Sequence, residues 1–406
     1  MPAAADNGAS LIDAELVLPR LSEADPDEDA VTLAAEAALP LLERMGVRPD
    51  ALVLATTEPP YDEGGNVQPL AEILGLAGDL VTFELTATDR DGLAALRLAC
   101  ALGLNELGST VLVCASGRAG AVALLVGEGG VARIVPLGAR AEELRDRWRL
   151  AGACEREEAD ASFVWDAGVK ASAGLVEGAA AVVTPSPRIA ARAERSRGGP
   201  GDPLPSYLGA AHAPARIVLG LEQPQTVLAA AGGLAEAVRV EPGAGAAAVA
   251  ARAHAVLERP RGEGSPRAID WEGISPYTSG PRSWRERGQD LRLEGARCGS
   301  CGRLVFPYPA RCPKCGSGEL ATERLARSGV VVTQTRDHAF PMARSTGMAV
   351  VQLDDSLNGS GARFYGQVVP SGSVEIGQRV HLVPRRLHTG GNAVQYFWKV
   401  SDADRG

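Results

Sequence analysis

Cys298-Gly-Ser-Cys301 and Cys312-Pro-Lys-Cys315 are two Cys-x-x-Cys turns with ten residues between them. Each turn presents two sulfur ligands to two corners of a tetrahedron, so the pair closes a four-thiolate zinc site with no position left for substrate. The metal implied by Cys298, Cys301, Cys312 and Cys315 stabilises and does not catalyse. Downstream lie Val330–His338, Met348–Asp355, Ala362–Val369, Gln378–Arg386 and Asn392–Val400, each strand-length, carrying Val, Thr, Tyr or Phe, and bounded mostly by Gly, Asp or Pro. This order predicts a zinc ribbon over residues 296–327, leading into a five-stranded β-barrel of the OB type over residues 328–401.

Working back from the knuckles, residues 258–295 are rich in Pro, Gly, Arg and Ser around Trp271 and Trp284, and read as a linker with a docking segment. Residues 27–257 alternate strand-like and helix-like stretches. Asp27–Met45 opens on acids suited to the positive end of a helix and runs to Gly46, with Pro40 inside. Ala51–Ala55 is an expected strand, Ile73–Leu76 belongs to a helix, Leu80–Leu85 is a strand, Asp91–Leu104 an apolar helix and Ser109–Ala115 a buried strand. A second round is expected from a helix at Ala167–Val176, a strand at Ala180–Val183, a helix at Gln225–Leu234, a strand at Ala237–Val240 and a helix at Ala246–Leu257. The alternation predicts an α/β layered domain, preceded by a lead-in over residues 1–26. Gly127-Glu-Gly-Gly130, between Val122–Val126 and Val131–Val135, is expected to turn a hairpin. No helix N-terminus follows it, as a phosphate-binding loop requires.

A length of 406 residues suggests two or three domains, and 45% apolar with 22% charged residues fits a globular chain. Met1–Asn7 lacks the basic start and apolar run of a secretory leader, and no stretch reaches the ~18 apolar residues of a membrane span, so a cytoplasmic location is expected. The three cysteines outside the knuckles, Cys100, Cys114 and Cys154, form an odd set that argues for reduced thiols. Net charge is −9, but residues 265–406 hold 19 Lys/Arg against 13 Asp/Glu, a net of +6, leaving −15 for residues 1–264. A phosphate-bearing ligand is therefore expected at the basic end.

Leu293-Glu-Gly-Ala-Arg-Cys-Gly-Ser-Cys-Gly-Arg-Leu-Val-Phe-Pro-Tyr-Pro-Ala-Arg-Cys-Pro-Lys-Cys-Gly-Ser317 resembles the zinc-ribbon/OB-fold family that accompanies thiolases and related acyl-CoA enzymes, through Phe306-Pro307 between the knuckles and Gly316-Ser317 after them. The resemblance implies an accessory that delivers a CoA thioester to a condensing partner and performs no chemistry itself. For the CoA phosphates, Arg385 and Arg386 at the end of a strand are the candidate contacts.

Asp27-Glu-Asp-Ala-Val-Thr-Leu-Ala34, Thr57-Glu-Pro-Pro-Tyr61 and Glu84-Leu-Thr-Ala-Thr-Asp-Arg-Asp-Gly-Leu-Ala-Ala-Leu96 resemble landmarks of the thiolase superfamily, in its hydroxymethylglutaryl-CoA synthase and ketoacyl synthase III branch. The resemblance implies two similar halves in a five-layer α/β/α/β/α sandwich, with a nucleophilic cysteine at a strand-to-helix turn. At that turn this chain has Asp89, and a carboxylate forms no comparably stable acyl intermediate and repels the developing oxyanion. The family's histidine falls at Thr184 and its asparagine at Ala210, while its late glycine-rich loop is Glu241-Pro-Gly-Ala-Gly-Ala-Ala247. Cys100, His212 and Glu58 are possible replacements, each better read as a core or solvated side chain.

These resemblances imply a degenerate, non-catalytic subunit that pairs with a separate thiolase-type catalytic protein and guides the CoA thioester for carbon–carbon bond formation or cleavage. One alternative is a self-sufficient synthase with atypical residues. The other is a nucleic-acid-binding ribbon and barrel, which the sparse aromatics and sequence pI of 5.3 disfavour.

Overall fold

The computed structural model describes residues 9–19, 24–76, 78–103, 110–117, 119–145, 147–148, 157–176, 178, 180–259, 280–337, 346–354, 362–390 and 393–402. Cys154, Trp271, residues 260–279 of the expected linker and the ends Leu104, Ser109, His338, Asp355 and Asn392 of expected elements lie outside these residues. The chain divides into two compact units. Met1–Leu18, Ala37–Val67 and Gly78–Pro260 form the first, and Pro19–Glu36, Gln68–Ala77 and Arg261–Gly406 form the second.

The elements in order are β1 (Ala9–Val17), α1 (Ala30–Met45), β2 (Ala51–Thr56), α2 (Val67–Leu74), β3 (Val81–Leu85), α3 (Asp91–Gly103), β4 (Thr110–Gly117), β5 (Gly120–Gly127) and β6 (Ala132–Ala141). A small ribbon of β7 (Arg147–Trp148) and β8 (Glu157–Glu158) and the short helices α4 (Ala161–Phe163) and α5 (Lys170–Ser172) follow. Next come β9 (Ala181–Val183), α6 (Pro187–Ser196), α7 (His212–Leu219), β10 (Gln225–Ala231), β11 (Leu234–Pro242) and α8 (Ala246–Glu258).

Nine strands share one sheet in the order β3-β2-β4-β5-β1-β6-β11-β10-β9, and this order contains a repeat. In the first half β2 and β4 are parallel, β4 and β5 antiparallel, β5 and β1 antiparallel. In the second, β9 and β10 are parallel, β10 and β11 antiparallel, β11 and β6 antiparallel. Strands β1, β2, β4 and β5 thus correspond to β6, β9, β10 and β11, and among the described residues β3 has no counterpart. The halves join where Ala9–Leu11 pairs with Ala132–Ile134. Helices α3 and α7, each leading into the inner parallel strand of its half, pack on their own strands and on strands of the other half, and so form a middle layer. A Cβ on Gly92 would collide with the carbonyl oxygen of Ala210, so the close crossing of these two helices requires glycine there.

Local chemistry explains most boundaries. Asp29 accepts from the N–H groups of Val31 and Thr32, both at 3.0 Å, while Thr32 Oγ1 accepts from Asp29 N–H at 2.9 Å, a reciprocal cap that starts α1. Gly46, at φ 61°, ends it. Strand β2 is buried along its whole length, as a parallel strand covered on both faces must be.

Three expectations are corrected. Val122–Val126 and Val131–Val135 do not form a hairpin: β5 and β6 both pair with β1, which inserts between them from the segment read as a lead-in. A long-range strand with its own apolar alternation outcompetes the short glycine turn. Gln225–Leu234 is not a helix but strand β10 and the start of β11. Its alanines have high helix propensity, yet the segment is buried between two strands, and Gly232 and Gly233, at φ 61° and 75°, turn the chain directly back. Ala167–Val176 lies within a mixed stretch of α4, a π-helical Val164–Val169, α5 and a 3₁₀ turn Ala173–Leu175. Helices α6 and α7 were not anticipated.

In the second unit, α9 (Gly280–Asp290) lies in the segment read as a linker and precedes β12 (Glu294–Cys298), β13 (Leu304–Val305) and β14 (Leu320–Arg324), a three-stranded sheet in the order β13-β12-β14. Strands β15 (Ser328–Asp337), β16 (Thr346–Leu353), β17 (Arg363–Gln367), β18 (Arg379–Gly390) and β19 (Ala393–Asp402) follow, in the order β17-β16-β15-β18-β19. A bridge between Val368 and Val400 brings the two edges together and nearly closes the barrel. Phe306 stacks on the buried Phe364, which stacks on Phe397, with ring centroids 5.6 and 5.9 Å apart. These three rings tie the ribbon to the barrel.

Candidate functional site

The two knuckles share one geometry. Gly302 N–H donates to Cys298 O and Gly316 N–H to Cys312 O, both at 2.9 Å, and both glycines are left-handed, at φ 69° and 74°. The sulfur pairs Cys298–Cys315 and Cys301–Cys312 lie 3.5 and 3.7 Å apart, and all four sulfurs fall within 4.8 Å of one another. A tetrahedron with Zn–S bonds of about 2.3 Å has edges of about 3.8 Å, so the donor set fits zinc. The backbone N–H groups of Cys315 and Lys314 hold the Cys312 thiol down to about 6. The Ser317 N–H lowers Cys315, but its thiol neighbours, Cys298 foremost, push it up to about 12. Four sulfurs this close cannot all be anionic without a countercharge, which a divalent cation supplies when bound.

In the first unit the turn expected to hold a nucleophile holds Asp89, 7% exposed. Thr57 Oγ1, just past β2, donates to Asp89 Oδ1 at 2.8 Å. A Cβ on Gly209 would lie 3.4 Å from Thr57 Oγ1 and 3.6 Å from Asp89 Oδ1, and Gly209 has φ +57°. The structure therefore brings Asp89 and the Gly209-Ala210 turn together at the entries of α3 and α7, the corresponding helices of the two halves. Thr184 sits just after β9 with its hydroxyl buried and, among the described residues, without a hydrogen-bond partner.

Cys100 lies in the core, where burial pushes its thiol up to about 12. His212 is buried, its Nδ1 accepting from Leu208 N–H at 3.3 Å, which leaves Nε2 to donate to Asp202 Oδ2 at 3.0 Å. Burial works to raise the Asp202 carboxyl, but the hydrogen bond from His212 helps to hold it below the usual range. Glu58 is exposed.

The reading of Arg385 as a phosphate contact is corrected. Arg385 is 0% exposed, with Nη2 2.8 Å from Glu28 Oε1, Nη1 against Glu36 Oε1 and Nε 3.7 Å from Asp27 Oδ1. Three carboxylates already hold its charge, and a ligand phosphate has no access to it. Arg386 is half-buried, donating from Nη2 to Pro26 O and from its backbone N–H to Asp27 O at 2.9 Å. Lys399, equally hidden, lies 2.8 Å from Asp27 Oδ2, and burial lowers its pKa. The run Asp25-Pro-Asp-Glu-Asp29 thus caps a helix and also neutralises strands β18 and β19, a role sequence reading missed. Its one signal is a lysine in a strand otherwise alternating toward a core. Tyr396 and Trp398 are buried, with Tyr396 OH donating to Asp29 Oδ2 at 2.9 Å and Trp398 Nε1 to Leu291 O at 3.1 Å, so neither ring is available to stack on a base.

Among the described residues no helix is long and apolar enough to cross a membrane. Fold and four-sulfur centre together define a thiolase-like α/β body joined to a zinc ribbon and OB barrel. Residues 285–321 match the family model described as ChsH2, rubredoxin-like zinc ribbon domain. The chain belongs to the family of DUF35 domain-containing scaffold proteins. It is 33% identical over 127 residues to the member from Methanocaldococcus jannaschii, which covers 29% of this chain and 86% of that protein. It is 31% identical over 127 residues to the member from Methanothermobacter thermautotrophicus, covering 29% and 92%. Among solved structures, MvaS in complex with 3-hydroxy-3-methylglutaryl coenzyme A superposes with a TM-score of 0.52 at 19% identity, over 66% of this chain and 94% of its own. PksG, a HMG-CoA synthase from Bacillus subtilis, gives 0.51 at 17% identity, over 64% and 85%. The HMG synthase of the curacin biosynthetic pathway gives 0.53 at 16% identity, over 78% and 100%. At these identities the likeness is one of fold.

Proposed function

We propose that this chain is a non-catalytic scaffold subunit of a cytoplasmic thiolase-type complex, pairing with a separate catalytic thiolase-like protein and guiding a CoA thioester to it. The observation that carries this reading is the turn at Asp89. A carboxylate tied to Thr57 stands at the turn where the resemblance implies a sulfur nucleophile, and the imidazole of His212 has both ring nitrogens engaged, by Leu208 N–H and by Asp202. The family of scaffold proteins to which the chain belongs supports the accessory role, and the synthase-like fold supports a CoA ester as the shared ligand.

Incubating the purified chain with radiolabelled acetyl-CoA tests it. No covalent label is expected on the chain alone, and label is expected on a thiolase-type subunit recovered with it from the native host. Stable acylation of this polypeptide by itself would establish instead a self-sufficient synthase with atypical residues.

A further inference from the structure

Helix α9 is held without an apolar face. Asp290 is its only buried residue, and Trp284 stands 66% exposed. Polar contacts fasten it instead. Ser283 Oγ donates to Gln395 Oε1 at 2.8 Å, Gln395 Nε2 donates to Asp290 Oδ2 at 3.2 Å, and Arg287 reaches Glu72 at 3.5 Å. One glutamine of β19 therefore bridges both ends of the helix.

Asp290 is poorly compensated there. It ends the helix, where orphan carbonyls already place partial negative charge. The other charged groups of its own helix are Arg282 and Glu286, paired with each other at 2.8 Å, Arg287, turned to Glu72, and Arg285, which makes no ion pair with Asp290. From β12 comes Glu294, paired with Arg292, and β19 offers the neutral Gln395 and Tyr396. Among the described residues no cation lies within ion-pair distance of Asp290, in contrast to Asp27, Glu28 and Glu36, which share Arg385.

We propose that α9 is a pH-gated segment, docked on β19 while Asp290 is protonated and loosened when it ionises. Burial first, with repulsion from Glu286, lifts the Asp290 carboxyl to about 6 against the hydrogen bonds it accepts from Gln289 and Gln395 and the attraction of Arg282. An undocked aspartate titrates near ~3.9. The docked form has the higher pKa, so docking binds a proton. The added stability is fully present below the undocked value and is lost as pH rises through about 6. Release would free the segment that enters the ribbon, together with the exposed Trp284 and the Arg287 guanidinium stacked 4.5 Å from its ring.

Hydrogen exchange on the full-length, zinc-loaded chain tests this, with intrinsic rates corrected for pH. Amides of residues 283–290 are expected to be about tenfold more protected at pH 5.0 than at pH 7.5, while those of α8 stay unchanged. Asp290→Asn should hold the high protection at both values. Equal protection of the wild-type helix at the two pH values, a pH dependence that survives in Asp290→Asn, or a parallel change in α8 would overturn the proposal.

Discussion

Thr57 Oγ1 and Asp89 Oδ1 are joined by a 2.8 Å hydrogen bond that closes the turn between two strand ends over the Gly209 backbone. The bond holds a buried carboxylate in place where its fold relatives are expected to present a thiol. Thr57→Val keeps the shape and removes a donor from a charged acceptor, for which a loss of about 1.5–3 kcal/mol is expected. Chemical unfolding of the first unit measures it. A loss below ~0.5 kcal/mol would show that the Thr57 hydroxyl does not hold Asp89 in place.

Arg385 is the shared cation of three carboxylates. Arg385→Ala leaves them buried and unpaired, and the second unit is expected to lose about 3–5 kcal/mol. Arg385→Lys should recover only part of this, because an ammonium cannot meet Glu28 and Glu36 from two sides as the guanidinium fork does. Full recovery by lysine in a denaturant titration would show that charge alone, without the fork, satisfies the cluster.

Cys312→Ser removes one of four ligands from a site that fits a tetrahedral metal. Bound zinc is expected to fall from one equivalent per chain to none, with loss of the ribbon sheet and retention of the first unit, whose apolar clusters contain no ribbon residue. Metal analysis alongside limited proteolysis checks both parts. Stoichiometric zinc in the variant would refute the ligand assignment.

The ribbon was legible because its information is local: four cysteines at fixed spacing and a glycine after each pair suffice to define a metal site. The barrel strands were legible for a related reason, since alternation along each segment sets which side faces inward. Tyr396, Phe397 and Trp398 show it, the outer two buried against Asp29 and Leu291 and the middle ring stacked on Phe364. That the turn between β3 and α3 carries a carboxylate, Asp89, was also legible, because it is an identity and not an arrangement.

What the sequence could not determine was pairing between distant segments. Nothing local announces that Ala9–Val17 separates two strands joined by four residues, or that alanines at Gln225–Ala231 become a strand because strands flank them on both sides. The same holds for charge. Arg385 and Arg386 read as a doubled surface cation, and only the fold delivers Asp27, Glu28 and Glu36 to bury the first of them. Spacing and residue type fix chemistry that closes within one turn, whereas burial and ion pairing depend on which remote backbone arrives, and that is decided by the free energy of the whole packed structure.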